Sequence, residues 1–206
     1  AARFGGSPNQ DVTRGLVGYW DFNDVGGQTA ADLSDQGNNG TLGATSAAGT
    51  DDATWTGGKP GNGGALDFDG GDHVDLADID FSTGPFTLSA WVKTSTDNVM
   101  ILFKGTVNTN QIYLLTNTNS MACGLYDGTD WQEIIDTRQD WTDDNWHHVT
   151  CVVSTTEVKL YVDGATNGTT DAHDNSFPVN NNNSLFVENV FDSLDKDRDK
   201  NEVVRI

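Results

Sequence analysis

The chain is short of the residues that would staple it, break it or neutralise it. Two cysteines, Cys123 and Cys151, stand among 206 residues. That excludes a multi-disulfide scaffold and a cysteine-rich zinc module, and leaves room for one bridge at most. Four prolines, with no stretch dominated by proline or by glycine and serine, give no linker at which a second domain would begin. Lys and Arg number 11 against 31 Asp and Glu, a formal net charge of −20. Such a field repels phosphate backbones and anionic lipid surfaces, which argues against nucleic acid and membrane headgroups as partners. No apolar run approaches the roughly 18–20 residues that span a bilayer, so no membrane insertion is expected. The opening Ala1-Ala2-Arg3-Phe4 holds no hydrophobic signal core; an export signal has either been removed or never belonged to this chain.

Glutamate is scarce too: Glu133, Glu157, Glu188 and Glu202 are the only ones, and all the other acid is aspartate. An aspartate-rich surface suits Ca²⁺, a hard cation that prefers oxygen ligands, and equally suits simple solubility at high salt.

What the chain does contain is short apolar alternation between Gly, Asn, Asp and Thr clusters, the pattern of an all-β fold. Phe86, Leu88, Ala90 and Val92 alternate with Thr87, Ser89, Trp91 and Lys93, giving one buried and one outward face. Val149, Cys151 and Val153 repeat the pattern, as do Val158, Leu160 and Val162 before the turn signal Asp163-Gly164. Further strands are predicted at 15–22, 64–69, 72–76, 99–104, 111–116, 121–127, 132–136, 184–190 and 202–206. About a dozen strands in one chain predict a two-sheet antiparallel jelly-roll β-sandwich over 15–206, preceded by an extended arm, 1–14. The Asn180–Asn183 run reads as an exposed loop.

Candidate chemistry is sparse. His147 and His148 are adjacent in a strand and face opposite ways, so they cannot converge on one metal. Asp195-x-Asp197-x-Asp199 begins like an EF-hand loop, but Lys200 stands where glycine is needed and Ile206 where glutamate is. Cys123 and Cys151 both fall on apolar faces, as a bridge between neighbouring strands or as two buried thiols. Trp131 and Trp141 sit in polar segments beside carboxylates, which suits stacking on sugars and equally suits covering the end of the core. With Tyr126 they make the expected ligand-contacting set. Asn39, Asn167 and Asn182 open N-x-Ser/Thr sequons, the expected glycosylation points of a surface protein.

Several segments together resemble the laminin-G-like jelly-roll family, a branch of the concanavalin-A-like lectin/glucanase fold. They are Gly15-Leu-Val-Gly-Tyr-Trp-Asp-Phe22, the loop Ala31-Asp-Leu-Ser-Asp-Gln-Gly-Asn-Asn-Gly-Thr-Leu42, Gly64-Ala-Leu-Asp-Phe-Asp-Gly-Gly-Asp-His-Val-Asp-Leu76, Phe86-Thr-Leu-Ser-Ala-Trp-Val-Lys93, Trp146-His-His-Val149 and Val158-Lys-Leu-Tyr-Val-Asp-Gly164. The family closes with an Asp-Glu-Val-Arg-Ile-like strand, and here Asn201-Glu-Val-Val-Arg-Ile206 stands in its place. The resemblance implies a structural calcium where the first loop meets the last strand, with Asp24, Asp32, Asn38 and Glu202 as ligands and carbonyls near Ser34 and Gly37. It also implies an extracellular, non-catalytic binding or adhesion module, with a glycan or a cell-surface protein as partner. Glycoside hydrolases of this fold carry a Glu-x-Asp-x-Glu stretch; here Glu133-Ile-Ile-Asp136 puts its acids on opposite faces of a strand. The competing expectation is a structural subunit that assembles into a surface layer or filament through strand pairing by the arm.

Overall fold

A computed structural model describes residues 15–61, 63–106, 110–138, 140–166, 171–172, 177–178, 183–188 and 202–205. Asp171, Glu188 and the last group are described by backbone alone. The expected arm, the sequons at Asn167 and Asn182 and the 195–199 run lie outside these residues.

The strands are β1 (Thr29–Ala30), β2 (Gly40–Leu42), β3 (Thr54–Gly57), β4 (Gly64–Phe68), β5 (His73–Asp75), β6 (Phe86–Thr94), β7 (Met100–Thr106) and β8 (Asn110–Asn117). There follow β9 (Ser120–Tyr126), β10 (Trp131–Asp136), β11 (Trp146–Val153), β12 (Glu157–Val162), β13 (Ala165–Thr166), β14 (Asp171–Ala172), β15 (Leu185–Glu188) and β16 (Glu202–Arg205). They form two antiparallel sheets. Sheet A runs β1-β2-β5-β15-β7-β8-β9-β10 and sheet B runs β13-β12-β11-β6-β16-β4-β3, with β14 beside β12. The chain therefore belongs to the all-β, two-sheet class that the alternation predicts.

Alternation sets which side of each sheet is wet. Along β11 and β12 every second residue is buried, and Val149, Cys151, Val153, Val158, Leu160 and Val162 meet Leu114, Met121, Cys123, Leu125 and Ile134 of the other sheet in one core. Asp163 and Gly164 take φ of 52° and 77°, the two positive values that a two-residue type I′ hairpin demands, and Val162 pairs with Ala165 across it.

The predicted strand at 15–22 is a correction. Residues 16–25 carry no ladder. Their hydrogen bonds go to loops instead: Tyr19 N–H donates to Asp32 Oδ1 at 2.9 Å, and Trp20 Nε1 to the Asn38 carbonyl at 2.9 Å. The short β1, β2 and β3 went unpredicted because two to four residues hold too few side chains to show a period.

The cysteines are joined, with Cα atoms 6.0 Å apart. Cys123 lies on β9 of sheet A and Cys151 on β11 of sheet B, so the bond crosses the core between facing sheets rather than linking neighbouring strands.

Near one end of the sandwich a polar network joins β10 to β11. Asp136 is fully buried and accepts from Arg138 Nε at 2.9 Å. Burial alone would push its carboxyl up; the hydrogen bonds and charge of Arg138 outweigh that and hold it below the usual range. Arg138 also donates to the Ala165 carbonyl at 2.9 Å and lies 5.4 Å from the Trp141 ring. Trp141 meets His147 edge-on at 5.0 Å. Both nitrogens of His147 meet carboxylates, Nδ1 with Asp163 Oδ2 at 2.8 Å and Nε2 with Asp143 Oδ1 at 3.0 Å. Two acceptors require two ring protons, so the geometry calls for the imidazolium. Burial opposes that charge, and the bonds to Asp163 and Asp143 outweigh it, raising the pKa above 6.5.

Two expectations follow. The bridge spans a sequence separation of 28, so removing it with C123A/C151A should cost about 3–4 kcal/mol through loop-closure entropy. At 2–4 °C per kcal/mol for a chain of this size, the melting temperature falls by roughly 6–16 °C. A melting curve identical to that of the unaltered protein would show that the bond contributes nothing. The second concerns pH. A histidine whose folded pKa is raised contributes stability that is complete below its unfolded value near 6.5 and lost as pH rises through the folded value. From about pH 6 to 9 the melting temperature should therefore fall more steeply in the unaltered protein than in His147→Gln; parallel curves would rule out the imidazolium as the source.

Candidate ligand-binding site

The outward face of sheet A carries two partly exposed aromatics, Tyr126 and Trp131, beside the buried Tyr113. Leu102, Ile112, Leu114, Cys123, Leu125 and Ile134 point into the core, so the residues alternating with them point out. The four-residue turn 127–130 places Trp131 directly opposite Tyr126, and Tyr126 opposite Gln111 of β8. Asp127 builds that turn: its Oδ1 accepts the amides of Thr129 and Asp130 at 2.7 and 2.9 Å. The indole of Trp131 stacks on the Tyr126 ring, centroids 4.7 Å apart and planes at 27°, and meets Tyr113 edge-on at 6.0 Å. Trp131 remains 45 % exposed.

Beside this ledge the Tyr113 hydroxyl donates to Glu133 Oε1 at 2.8 Å. It reaches across Gly124, where any Cβ would stand 2.7 Å from the phenol oxygen and 2.5 Å from the Gln132 carbonyl. The close approach of two strands' side chains thus needs a glycine there. An indole face with a fixed carboxylate beside it offers an apolar platform and a hydrogen-bond acceptor together, which is what a flat polar ligand requires.

Of the three expected contacts, the structure brings Tyr126 and Trp131 together and separates Trp141. Trp141 is a correction: it is 4 % exposed and belongs to the core. Its polar sequence neighbours do not expose it, because the ring packs against His147 and Arg138. Tyr113 and Glu133 were not assigned to a ligand from the sequence. The hairpin register was the signal available, since a turn of four residues after Tyr126 fixes Trp131 opposite it and Glu133 two positions on.

Of the four expected calcium ligands, Asp24, Asp32 and Asn38 are described with their side chains and Glu202 by backbone alone. Asp32 spends its oxygens on its own loop, accepting from the amides of Tyr19, Ser34 and Asn38 and from Ser34 Oγ at 2.7–2.9 Å. Burial raises its carboxyl and those donors more than offset it, so the pKa is lowered. Asp24 Oδ2 accepts from Ala31 N–H at 3.1 Å, and Asn38 Nδ2 donates to the Val17 carbonyl at 2.7 Å. Asn39 is exposed, and its Oδ1 takes the Asp32 amide. Glu202 pairs through its backbone with Phe68, whereas Asn23, next to Asp24, binds Gly64 at the other end of β4. Four residues of strand separate those points, about 13 Å. Among the described residues no group of three or more His, Cys, Asp or Glu side chains could hold a metal. Asp72 shows what crowding does here. It is buried, and burial first, then Asp69 and Asp52, push its pKa to about 6.

A cavity of about 540 Å³ opens beside β6, where β16 covers only Trp91–Thr94. Its walls include Leu88, Ala90, Leu102 and Leu185 of the core, with Trp91, His148 and Ser89 at the polar side. Among the described residues it is a gap in sheet B that opens on the core, and Ser89 Oγ and His148 Nε2 in its wall lie 2.9 Å apart.

No curated protein matches the chain. Solved structures share its fold at low identity. The binding domain of Paraclostridial Mosquitocidal Protein 1 superposes with a TM-score of 0.70 at 13% identity, covering 95% of this chain and 48% of that one. The chain thus spans about half the length of that domain. Domain 4 of AbnA, a GH43 extracellular arabinanase from Geobacillus stearothermophilus in complex with arabinotriose, gives 0.65 at 18% identity, covering 92% of this chain and 91% of that one. Domains LG4-5 of mouse laminin alpha1 give 0.52 at 11% identity, covering 65% and 37%. Residues 68–196 match the family described as the concanavalin A-like lectin/glucanases superfamily, and the chain, with its two antiparallel sheets and cross-core bridge, belongs to that family.

Proposed function

We propose that the chain is an extracellular, non-catalytic binding module and that its ligand is a glycan held on the Trp131–Tyr126 ledge. The observation that carries this reading is the half-exposed indole, stacked flat on Tyr126 beside a carboxylate that Tyr113 holds in place. One similar structure is named a binding domain, and another is seen with arabinotriose. Catalysis by paired carboxylates has no support at this site. Glu133 is exposed on the outer face, while Asp136 is fully buried and tied to Arg138. A disulfide in the core favours an oxidising compartment, and the exposed Asn39 sequon fits a secreted surface.

A glycan array followed by calorimetry tests the assignment. Truncating a central aromatic anchor costs about 2 kcal/mol or more, so Trp131→Ala should weaken the best array ligand roughly 30-fold. Tyr126→Ala should weaken it less, by removing the support beneath the indole. Failure of every glycan to bind, or equal affinity in Trp131→Ala, would overturn the reading.

A further inference from the structure

We infer that sheet B holds a strand-acceptor slot beside β6, and that its occupant is an extended segment of a second polypeptide that alternates apolar and polar residues and runs antiparallel to β6. The slot is on the opposite sheet from the Trp131–Tyr126 ledge, so the inference does not rest on the glycan reading.

The cavity beside β6 has the form of a strand's place. Its wall holds Leu88 and Ala90, which point into the core, together with Ser89 and Trp91, which point outward. Successive side chains of a strand reach opposite faces, so a space that meets both faces passes through the sheet. It also lies on an existing line. β16 runs between β6 and β4 and pairs Val204 with Val92 and Arg205 with Trp91. The same register carried further stands opposite Ala90, Ser89 and Leu88, where the cavity is.

Both edges of the slot offer backbone groups. In an antiparallel ladder alternate residues turn N–H and C=O to the same neighbour. β11 takes one side of β6 from Phe86 to Lys93, so every second residue of 87–90 turns its pair of groups to the slot. Among the described residues nothing bonds to them there. On the far side, residues 16–20 follow the line of β4: a Cβ on Gly64, the first residue of β4, would stand 2.1 Å from the Phe22 carbonyl oxygen. Tyr19 turns its backbone to the 31–39 loop, its N–H donating to Asp32 Oδ1 at 2.9 Å and its carbonyl accepting from Leu33 N–H at 2.7 Å. The Val17 carbonyl does the same, accepting from Asn38 Nδ2 at 2.7 Å. Gly18 and Trp20, in the cavity wall, therefore turn theirs the other way, and their backbone groups meet no described partner.

Unpaired backbone groups beside an apolar space are costly, and a strand satisfies both edges at once. Its inward side chains would meet Ile79, Phe81, Leu102 and Leu185. The strands of this chain already have ladders, which assigns the occupant to another polypeptide, and the net charge of −20 favours a basic one.

The test is amide hydrogen exchange, read by NMR, with a capped synthetic octapeptide: three Thr-Val repeats between two lysines. The control is the same peptide N-methylated at its valines, which keeps side chains and charge and removes donors. Saturating peptide should slow exchange at Gly18, Trp20 and every second amide of 87–90 roughly tenfold and raise the melting temperature. The N-methylated peptide should do neither.

Equal effects of the two peptides would mean attraction without a ladder. Protection at β1 or β10, the outer edges of sheet A, in place of 87–90 would mean ordinary edge pairing. Slow exchange at these amides without peptide would mean that the chain fills its own slot, or a second copy does if the slowing grows with protein concentration. Each of these outcomes, and absence of any slowing, would overturn the inference.

Discussion

Everything in this molecule depends on burying one face of each sheet against the other. A single sheet with one apolar face has no stable existence in water, and at about 25 cal/mol per Å² the facing side chains of β7–β9 and β11–β12 supply the main drive to associate. Cys123 and Cys151 lie in the middle of that contact, each fully buried, so the one covalent link sits where packing has already brought the chains together. The outward faces inherit their geometry from the inward ones. Trp131 and Tyr126 are neighbours because Gln132 and Leu125, the residues between the strands' outward positions, are opposed on the inner side.

Aspartate solves the second problem, which is how long loops keep their amides satisfied. Asp32, Asp51, Asp80, Asp127, Asp140, Asp143 and Asp163 each accept backbone amides a few residues away or across a loop. The side chain of aspartate is short enough to reach its own turn, and that of glutamate overshoots it. The scarcity of glutamate is thus a structural fact as much as a charge preference. The cost is self-repulsion where acids crowd, as around Asp72.

The strands with five or more alternating residues were readable in advance, β6, β11 and β12 above all. So was the turn at Asp163-Gly164, because only positive φ at both positions closes a hairpin of two residues. The opening segment misled: Leu16–Phe22 has a strand's composition, but the Tyr19 amide and carbonyl and the Val17 carbonyl bond to the 31–39 loop. Trp131 and Trp141 show the same boundary. Both lie among carboxylates in the sequence, and one is a half-exposed platform while the other is core.

By itself the sequence determined the all-β class, the inward faces and the position of the tight turn, since each follows from local steric preference and a period of two. Tertiary structure decided which strands became neighbours, that the cysteines lie on facing sheets, and that Tyr113, Tyr126, Trp131 and Glu133 share one surface. The reason is physical: alternation states only that a side chain points in or out. Which other side chain it meets depends on sheet order and register, and those are set by loop closure and by the fit of two whole faces.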